Sequence, residues 1–212
     1  VYERFVGKVE HVLSIHLSER LTTAIGVARM VAREMTLPVQ VIDSGTAAPP
    51  EGFVALAAAR AAAAGGDLEQ VVATTKTYMK RVGMYVILKT LKHLNRGGRI
   101  GQAAALLGSR LRIQPVVELA AGEVRVTEVT RSRQRGKERV LEEMARQVGS
   151  RPIRACVFHA DALEEAKLMA QQVKERFHCI EFYITEFTPI MGAHTGPGVL
   201  GAAYCLEDED AE

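Results

Sequence analysis

The sequence predicts an α/β protein of two domains, in which a domain with a mostly parallel sheet is followed by an α+β domain. Over residues 1–81, strand-like and helix-like segments alternate with short connections, which is typical of a parallel sheet covered by helices. Over residues 82–212, the pattern changes to a strand hairpin followed by two alternations of helix and strand. These two observations place the domain boundary near residue 82.

The N-terminal domain is predicted to contain two strands and three helices. In order, they are a strand over 11–17, a helix that follows Ser18, a strand over 37–44, an Ala-rich helix from Gly52 to Gly65, and a helix opened by Asp67. The Ser18 hydroxyl can accept a hydrogen bond from the first turn of its helix, where apolar residues recur at helical spacing from Leu21 to Met35. The glycines after the Ala-rich run are a common helix stop.

The C-terminal domain is predicted to contain six strands and three helices. In order, they are a strand over 84–90, a short helix over 91–96, a hairpin over 113–130 with its turn near Gly122, a helix over 136–148, a strand over 153–160, a helix opened by Asp161, and strands over 179–187 and 199–206. Asp161 and Glu164 have the spacing of a capping box, which satisfies free N–H groups at a helix start. Leu163 and Ala166 are predicted on the buried face of that helix.

The composition, with 48% hydrophobic and 25% charged residues, is that of a globular protein. No run of about 18 apolar residues occurs, so no transmembrane span and no integral membrane contact are predicted. The chain opens without a secretory signal, and its three cysteines lie far apart in apolar segments, which favours buried thiols in a reducing cytoplasm. Because it does not begin with methionine, we expect that an upstream segment precedes it.

The charge distribution favours an acidic partner. Five of the 25 acidic residues lie in the tail from Glu207 onward, which leaves 27 basic against 20 acidic groups in the rest of the chain. Five of the basic residues fall within the segment 131–139, and others flank the GGRI segment near Arg99. A solvated face and an acidic protein partner both explain this clustering. Nucleic acid is disfavoured, because aromatic residues are only 5% of the chain and no reading helix is recognisable.

Several catalytic and cofactor motifs are absent from the sequence. There is no Walker-type glycine loop and no GxGxxG after a strand, so a nucleotide-binding fingerprint is not predicted. There is no GxSxG elbow of a serine hydrolase. The histidines and cysteines lack the paired spacing of metal ligands, so no metal site is predicted.

Three polar clusters are candidates for ligand binding. The first consists of Ser18, Thr22 and Thr23, whose hydroxyls and free N–H groups at a strand end suit a carboxylate or phosphate, although helix capping also explains Ser18. The second is the pair at 43–44, where a strand-end ligand site and a plain Asx turn are equally supported. The third is His194 with Thr195 in the sequence HTGPG, whose glycines and proline specify a fixed turn close to a ligand.

Four stretches, taken in order, resemble the DegV family of bacterial fatty-acid-binding proteins. They are HLSERLTTAIGVA, VIDSGT, LKHLNRGGRIGQAAALLGSRLRIQPVV and GAHTGPGVLGAAY. The third stretch and the HTGPG sequence are the most specific of these marks. The resemblance extends from Val12 to Tyr204.

The resemblance implies a DegV-like fold that buries an acyl chain in an apolar tunnel. The family's LSGT serine corresponds to Thr22, with Thr23 and Ala24 in place of its glycine and threonine. The ligand residues implied for the long-chain fatty acid are Ser18, Thr22, Thr23, His194 and Thr195. The earlier strand of the family and its hydroxyl-rich motif do not occur here, so the chain resembles a truncated member.

The resemblance also implies a partner. Family members of this kind carry the fatty acid for a separate ATP-dependent kinase subunit, which phosphorylates the bound carboxylate, and the acyl phosphate enters phospholipid synthesis. The chain is therefore expected to be a non-catalytic, cytoplasmic lipid-binding protein without a cofactor. Arg99, Arg131 and Arg133 are expected to dock the kinase or to steady the developing acyl phosphate. The alternative is a phosphotransferase that uses His194 as a phosphohistidine.

Overall fold

The computed structural model describes residues 1–106 and 113–208, and it divides into two compact units, Val1–Lys80 and Arg81–Glu212. The quoted LGSRLR part of the GGRI stretch, with Arg110 and Arg112, lies outside the described residues, as does the end of the acidic tail from residue 209. The fold is mixed α/β, with a small parallel sheet in the first unit and a larger mixed sheet in the second. This confirms the predicted fold class.

The first unit contains two strands and three helices after a short 3-10 turn. The elements are the 3-10 turn Tyr2–Phe5, β1 (Val12–His16), α1 (Ala24–Glu34), β2 (Val39–Asp43), α2 (Pro49–Ala63) and α3 (Leu68–Tyr78). Strands β1 and β2 pair in parallel, so that their carboxyl ends, at His16 and Asp43, lie side by side. Because parallel strands need a crossover, α1 connects them.

The predicted capping of α1 by Ser18 is wrong. The helix begins at Ala24 with Thr23 at the N-cap position, and the Thr23 side chain makes no capping hydrogen bond. Ser18 is buried instead in the turn that follows β1, where its backbone N–H donates to the Thr46 carbonyl at 2.7 Å. The polar turn therefore occupies residues that the apolar periodicity had assigned to the helix.

The predicted start of α3 is confirmed. Asp67 accepts a hydrogen bond from the backbone N–H of Gln70 at 2.8 Å, and the Gln70 side chain accepts one from the Asp67 N–H at 3.0 Å. This reciprocal capping box satisfies two free donors of the helix terminus. Helix α2 begins with Pro49 at its first position, three residues before the predicted start, which suits proline because the first helical N–H has no partner within the helix.

The second unit is a six-stranded sheet with helices. Its elements are β3 (Val82–Ile87), α4 (Lys92–Arg96), a 3-10 helix (Gly101–Leu106), β4 (Gln114–Ala120), β5 (Glu123–Thr130), α5 (Arg133–Val148), β6 (Ile153–Ala160), α6 (Leu163–Arg176), β7 (Cys179–Glu186), α7 (Pro189–Thr195) and β8 (Val199–Leu206). The strand order is β5-β4-β3-β8-β6-β7, with only the β6–β7 pair parallel among these strands. Positive φ at Ala121 and Gly122 closes the predicted hairpin.

The core of the second unit lies between the sheet and helices α5 and α6. Val140 and Met144 of α5 and Met169 and Val173 of α6 are fully buried against the strands. Each such side chain contributes roughly 1.5–3 kcal/mol by leaving water. Leu163 was predicted on this face but is 47% exposed, because α6 buries a stripe that begins at Ala166.

The predicted capping box at the start of α6 is also wrong. Ala162 occupies the N-cap position, and no side chain caps the helix. Asp161 instead adopts a φ of +53°, a left-handed backbone conformation that few residues other than glycine, asparagine and aspartate adopt. The carboxylate therefore lies outside the helix terminus rather than on it.

One edge of the larger sheet gathers the segments that carry the sequence motifs. The register pairs Ile87 with Leu200 and Ala160 with Val199, so β3 and β6 end where β8 begins. The parallel pairing of β6 with β7 brings Glu186 to the same edge. Ligands commonly bind where several strand ends meet, and this edge of the second unit is the natural place to look for a site.

Candidate ligand site around the HTGPG turn

His194 belongs to the last turn of a short helix, where the sequence predicts only a fixed turn. Helix α7 begins at Pro189, and the Thr188 hydroxyl accepts a hydrogen bond from the Met191 N–H at 3.5 Å. The Thr195 hydroxyl donates to the Met191 carbonyl at 2.9 Å. Gly196, at φ +82°, then ends the helix, and its N–H donates to the Gly192 carbonyl at 2.7 Å. The rigid glycine turn thus follows the histidine and fixes the end of its helix.

The HTGPG turn interlocks with the helix of the GGRI motif. A Cβ atom on Gly97 would lie 2.2 Å from Nδ1 of His194, and one on Gly196 would lie 2.4 Å from Cδ2 of His93. Each motif therefore places a histidine ring against a glycine of the other motif. The ring lies closer than any residue with a Cβ atom would allow. The two most specific marks of the family resemblance are adjacent in space, although about a hundred residues separate them.

A lysine completes this contact. A Cβ atom on Gly198 would lie 2.1 Å from Cε of Lys89, which follows β3. Gly198 has a φ of +76°, and its N–H donates to the Ala160 carbonyl at 2.6 Å. The turn is thereby bound to the end of β6 while Lys89 lies across it. Sequence reasoning missed Lys89 and His93, because nothing in their local pattern indicates which distant glycine they contact.

Nδ1 of His194 is a buried atom without a hydrogen-bond partner among the described residues. It is covered by Gly97, as the close approach described above requires. Buried polar atoms are nearly always hydrogen-bonded, and leaving one unpaired costs about 1–3 kcal/mol.

The hydroxyl cluster of the first unit forms a polar turn after β1. The Ser18 carbonyl accepts from the N–H groups of Leu21 at 2.9 Å and Thr22 at 3.2 Å, and the Ser18 hydroxyl accepts from the Arg20 N–H at 3.3 Å. The Thr22 hydroxyl, which is half-buried, accepts from the Ala24 N–H at 3.2 Å. Thr23 is exposed. The three predicted hydroxyls therefore lie together in one turn, with Ser18 the most deeply buried.

Asp43 forms an Asx turn, which was one of its two predicted alternatives. Its carboxylate accepts from the Gly45 N–H at 2.9 Å and from the Glu19 N–H at 3.3 Å. The second bond ties the loop after β2 to the loop after β1. Ser44 and Thr46 are buried beside it, and the Ser44 hydroxyl accepts from the Thr46 N–H at 3.3 Å. This network holds the hydroxyl turn in place.

Glu51, in the first turn of α2, was not predicted as a notable residue. Burial raises the pKa of its carboxyl group to about 7. No residue pattern in the sequence signals this shift, because it arises from the packing of α2 within the unit.

The predicted docking arginines lie in two places in the second unit. Arg99 is half-buried and donates to the Gly97 carbonyl, next to the contact with His194. Arg131 is exposed and precedes α5. Arg133 lies in the first turn of α5, where its Nε donates to the Glu165 carboxylate at 2.8 Å.

Glu165 is shared by several cations. Lys137 lies 3.8 Å from the Glu165 carboxylate, and the positive charge of Lys89 also stabilises that carboxylate. Burial by itself would raise the pKa of Glu165, but the hydrogen bond and charge of Arg133, with the charges of the two lysines, lower the pKa overall. Nη1 of Arg133 is buried without a partner in the described parts of the chain. Three cations around one carboxylate leave local positive charge beside the turn at Gly198.

Two further observations bear on the class of protein. Within residues 1–106 and 113–208, no group of three or more His, Cys, Asp or Glu side chains is placed to hold a metal ion. No helix in the same residues is both long and apolar enough to cross a membrane.

The fold, with its small parallel sheet and larger mixed sheet, is that of the two-unit α/β proteins of the DegV type. A DegV family protein from Thermus thermophilus, described by its fatty acid binding, matches with a TM-score of 0.92 and 28% identity, over 97% of this chain and 74% of its own. DegV of Bacillus subtilis, described as a fatty acid binding protein, matches with a TM-score of 0.87 and 30% identity, over 97% of this chain and 74% of its own.

The comparison of sequences agrees. A DegV domain-containing protein of Streptomyces coelicolor is 36% identical over 191 residues, which are 90% of this chain and 68% of that protein. The family model described as "Uncharacterised protein, DegV family" matches residues 1–207. The chain belongs to the DegV family.

Proposed function

We propose that the chain binds a long-chain fatty acid, with the acyl tail in an apolar tunnel and the carboxylate at the HTGPG turn. The observation that carries the proposal is the likeness to two proteins described as fatty-acid-binding, at 28% and 30% identity over nearly the whole chain. The interlocked His194 and its glycine neighbours support the same site.

The carboxylate needs hydrogen-bond donors, because a buried charge without partners is strongly destabilised. Since Gly97 covers Nδ1 of His194, we assign Nε2 of that imidazole to the carboxylate. Hydroxyl groups are the second kind of donor in the proposed site. In the second unit, the Thr195 hydroxyl donates to the Met191 carbonyl, so it would have to turn away from that carbonyl to donate to the carboxylate. In the first unit, Ser18, Thr22 and Thr23 carry the hydroxyls that the resemblance to the DegV family assigns to the ligand.

The acyl tail supplies most of the binding free energy. Burial of a methylene group contributes about 0.8 kcal/mol, so a chain of roughly sixteen carbons contributes on the order of 10 kcal/mol before the cost of ordering it. The head group therefore sets orientation and chemistry, while the tail sets affinity.

We further propose that the chain works in the cytoplasm as the non-catalytic partner of an ATP-dependent kinase subunit and presents the carboxylate for acyl-phosphate formation. The positive charge around Glu165 supports this role, because Arg133, Lys137 and Lys89 provide more cations than that carboxylate neutralises. A phosphoryl group next to Gly198 would be attracted to them. Arg99 and Arg131 are assigned to kinase docking.

Organic extraction and mass spectrometry of the purified protein test the fatty-acid proposal. The wild type should release a fatty acid close to one equivalent, and His194→Gln should weaken its retention by about 10- to 100-fold, because a hydrogen bond to a charge is lost. The exposed His178 offers a matched control, since His178→Gln should retain the ligand. Absence of extractable fatty acid, together with an acid-labile phosphate on His194, would establish the phosphohistidine alternative instead.

The kinase role is tested separately with the cognate ATP-binding subunit. Arg131→Glu should lower acyl-phosphate formation while fatty-acid retention stays unchanged, since Arg131 is exposed. Arg33→Glu, on the exposed face of α1, controls for the change in charge. Equal phosphorylation of the wild type and Arg131→Glu would refute the docking assignment but leave the fatty-acid proposal standing.

A further inference from the structure

The second unit contains a cleft of about 640 Å³ at the carboxyl ends of the parallel strands β6 and β7, beside the first turn of α6. The residues that line it are His159, Asp161, Ala162, Leu163, Glu164, Glu165, Ile184, Thr185 and Glu186. Its volume is within the usual range for small-molecule and side-chain sites. None of these residues except Glu165 was used in the site described above.

His159 is the buried polar residue of this cleft. It lies on β6, is 4% exposed, and its Nδ1 has no hydrogen-bond partner within the described part of the chain. Its backbone carbonyl accepts from the Phe187 N–H at 2.7 Å, which fixes the strand but gives Nδ1 no partner. His159 thus lines the cleft and carries a buried ring nitrogen that a bound ligand could satisfy.

The charge of the cleft is negative. Its lining includes four carboxylates and no lysine or arginine. Glu164 is paired with Lys167 at 2.7 Å, and Glu165 with Arg133 at 2.8 Å and Lys137 at 3.8 Å. Lys89 also acts on Glu165, so the Glu165 end of the cleft is offset by cations and the negative charge is confined to the other carboxylates. Asp161 and Glu186 have no ion pair among the residues that the structure describes, so two carboxylates stay uncompensated at the mouth.

An anion is disfavoured despite the adjacent helix terminus. The N-terminus of a helix attracts negative charge. In α6, however, Glu164 and Glu165 already occupy the first turn and offset that field. The uncompensated Asp161 and Glu186 would repel a further anion.

We propose that this cleft binds a hydrogen-bond-donating cation, namely a protonated amine or a guanidinium group. Its N–H groups can donate to Nδ1 of His159 and to the Asp161 and Glu186 carboxylates together. The partly exposed Leu163 and Ile184 provide apolar walls for the alkyl stem that such groups carry. The source is either a free amine or a basic side chain of a partner protein. The cation proposal does not depend on fatty-acid binding, although Glu165 both lines this cleft and pairs with the cations assigned to the phosphoryl group.

The test follows the imidazole signals of His159 by ¹⁵N NMR during titration of the full chain. The probes are agmatine, the pentapeptide acetyl-Gly-Gly-Arg-Gly-Gly-amide, and the same peptide with uncharged citrulline in place of arginine. The test variant is the double substitution Asp161→Asn with Glu186→Gln, which removes both charges. Asparagine is chosen at 161 because it adopts the positive φ of that position more readily than most residues. The control Glu34→Gln with Glu69→Gln removes two exposed charges of the first unit.

The expected result is a saturable shift with a cationic probe, no shift with the citrulline peptide, and binding at least about tenfold weaker in the cleft double variant only. Tighter binding of the arginine peptide than of agmatine would assign the site to a protein-borne side chain, and the reverse order to a free amine. Glu186→Gln alone serves if the double variant loses its native NMR spectrum. The proposal is overturned if neither cation shifts the His159 signals saturably, or if the cleft variants bind as the wild type does.

Discussion

Gly97 shows how one residue can hold the candidate site together. Its φ is −78°, which any residue adopts, so its conformation alone does not require glycine. The requirement comes from the His194 imidazole, whose Nδ1 lies where a side chain would begin. Gly97 thus connects the GGRI motif to the HTGPG turn through contact rather than through backbone strain.

Gly97→Ala tests this contact. The added methyl group would displace the imidazole, and we expect a loss of about 1–3 kcal/mol in the free energy of unfolding with weaker retention of fatty acid. Gly52→Ala is the matched control, because a Cβ atom there meets nothing within 4 Å in helix α2, and it should be neutral or slightly stabilising. Denaturant unfolding measures both variants. A Gly97→Ala protein as stable as the wild type would contradict the contact.

Glu51 makes the stability of the folded chain depend on pH, in a direction that its raised pKa determines. Burial raises the pKa of Glu51 from 4.5 to about 7, so between these values the folded state binds more protons than the unfolded state. Stability from this group therefore falls as the pH rises through that window. Because the side chain is only partly buried, we expect an effect of no more than about 2 kcal/mol.

Glu51→Gln should remove this dependence. Relative to the wild type, the variant should gain stability between pH 5 and pH 8, as measured by denaturant unfolding at each pH. The exposed Glu69→Gln, on α3, should follow the wild-type curve. A constant difference between wild type and Glu51→Gln across the range would show that the carboxyl group titrates normally.

At the scale of elements, the ends of helices α3 and α6 show what local sequence can establish. Asp67 opens α3 as predicted, and the structure adds that it forms a capping box with Gln70. Asp161 and Glu164 have the same spacing, yet the chain leaves β6 through a left-handed residue and α6 begins after it. Helix α7 was missed for a related reason, since its seven residues precede a glycine-rich turn that dominates the local pattern.

Two substitutions distinguish these helix starts. Asp67→Ala removes a working cap and should cost about 1 kcal/mol of stability. Asp161→Gly removes no cap and relieves a left-handed backbone, so it should be neutral or stabilising by up to about 1 kcal/mol. Thermal unfolding of both proteins measures the difference. Comparable destabilisation by both changes would mean that Asp161 does cap α6.

At the scale of the whole molecule, the sequence predicts the types of element well and their arrangement poorly. Periodicity and turn residues locate most strands and helices of both units to within a few residues. The strand order is not predictable in this way, because β8 inserts between β3 and β6 through contacts such as Ile87 with Leu200. The site follows the same rule: the HTGPG motif points to His194, but its contacts with Gly97 and Lys89 depend on that long-range order.

The pairing of the basic residues in the second unit also depends on contacts between residues that are distant in sequence. The basic segment after the hairpin was predicted as either a solvated face or a partner surface. In the structure, Arg135 and Arg139 form ion pairs with Glu128 and Glu142, while Arg133 shares Glu165 with Lys137. Sequence spacing cannot separate these two groups, because Glu128 comes from β5 and Glu165 from α6, whereas only Glu142 lies in α5 itself. Only the second group lies by the HTGPG turn.

The most direct test of the account is the ¹³C NMR signal of carboxyl-labelled palmitate bound to the protein. The account predicts one bound resonance, separate from that of free palmitate, whose chemical shift changes in His194→Gln and not in His178→Gln. A bound resonance that is the same in the wild type and both variants would place the carboxylate away from His194 and contradict the account.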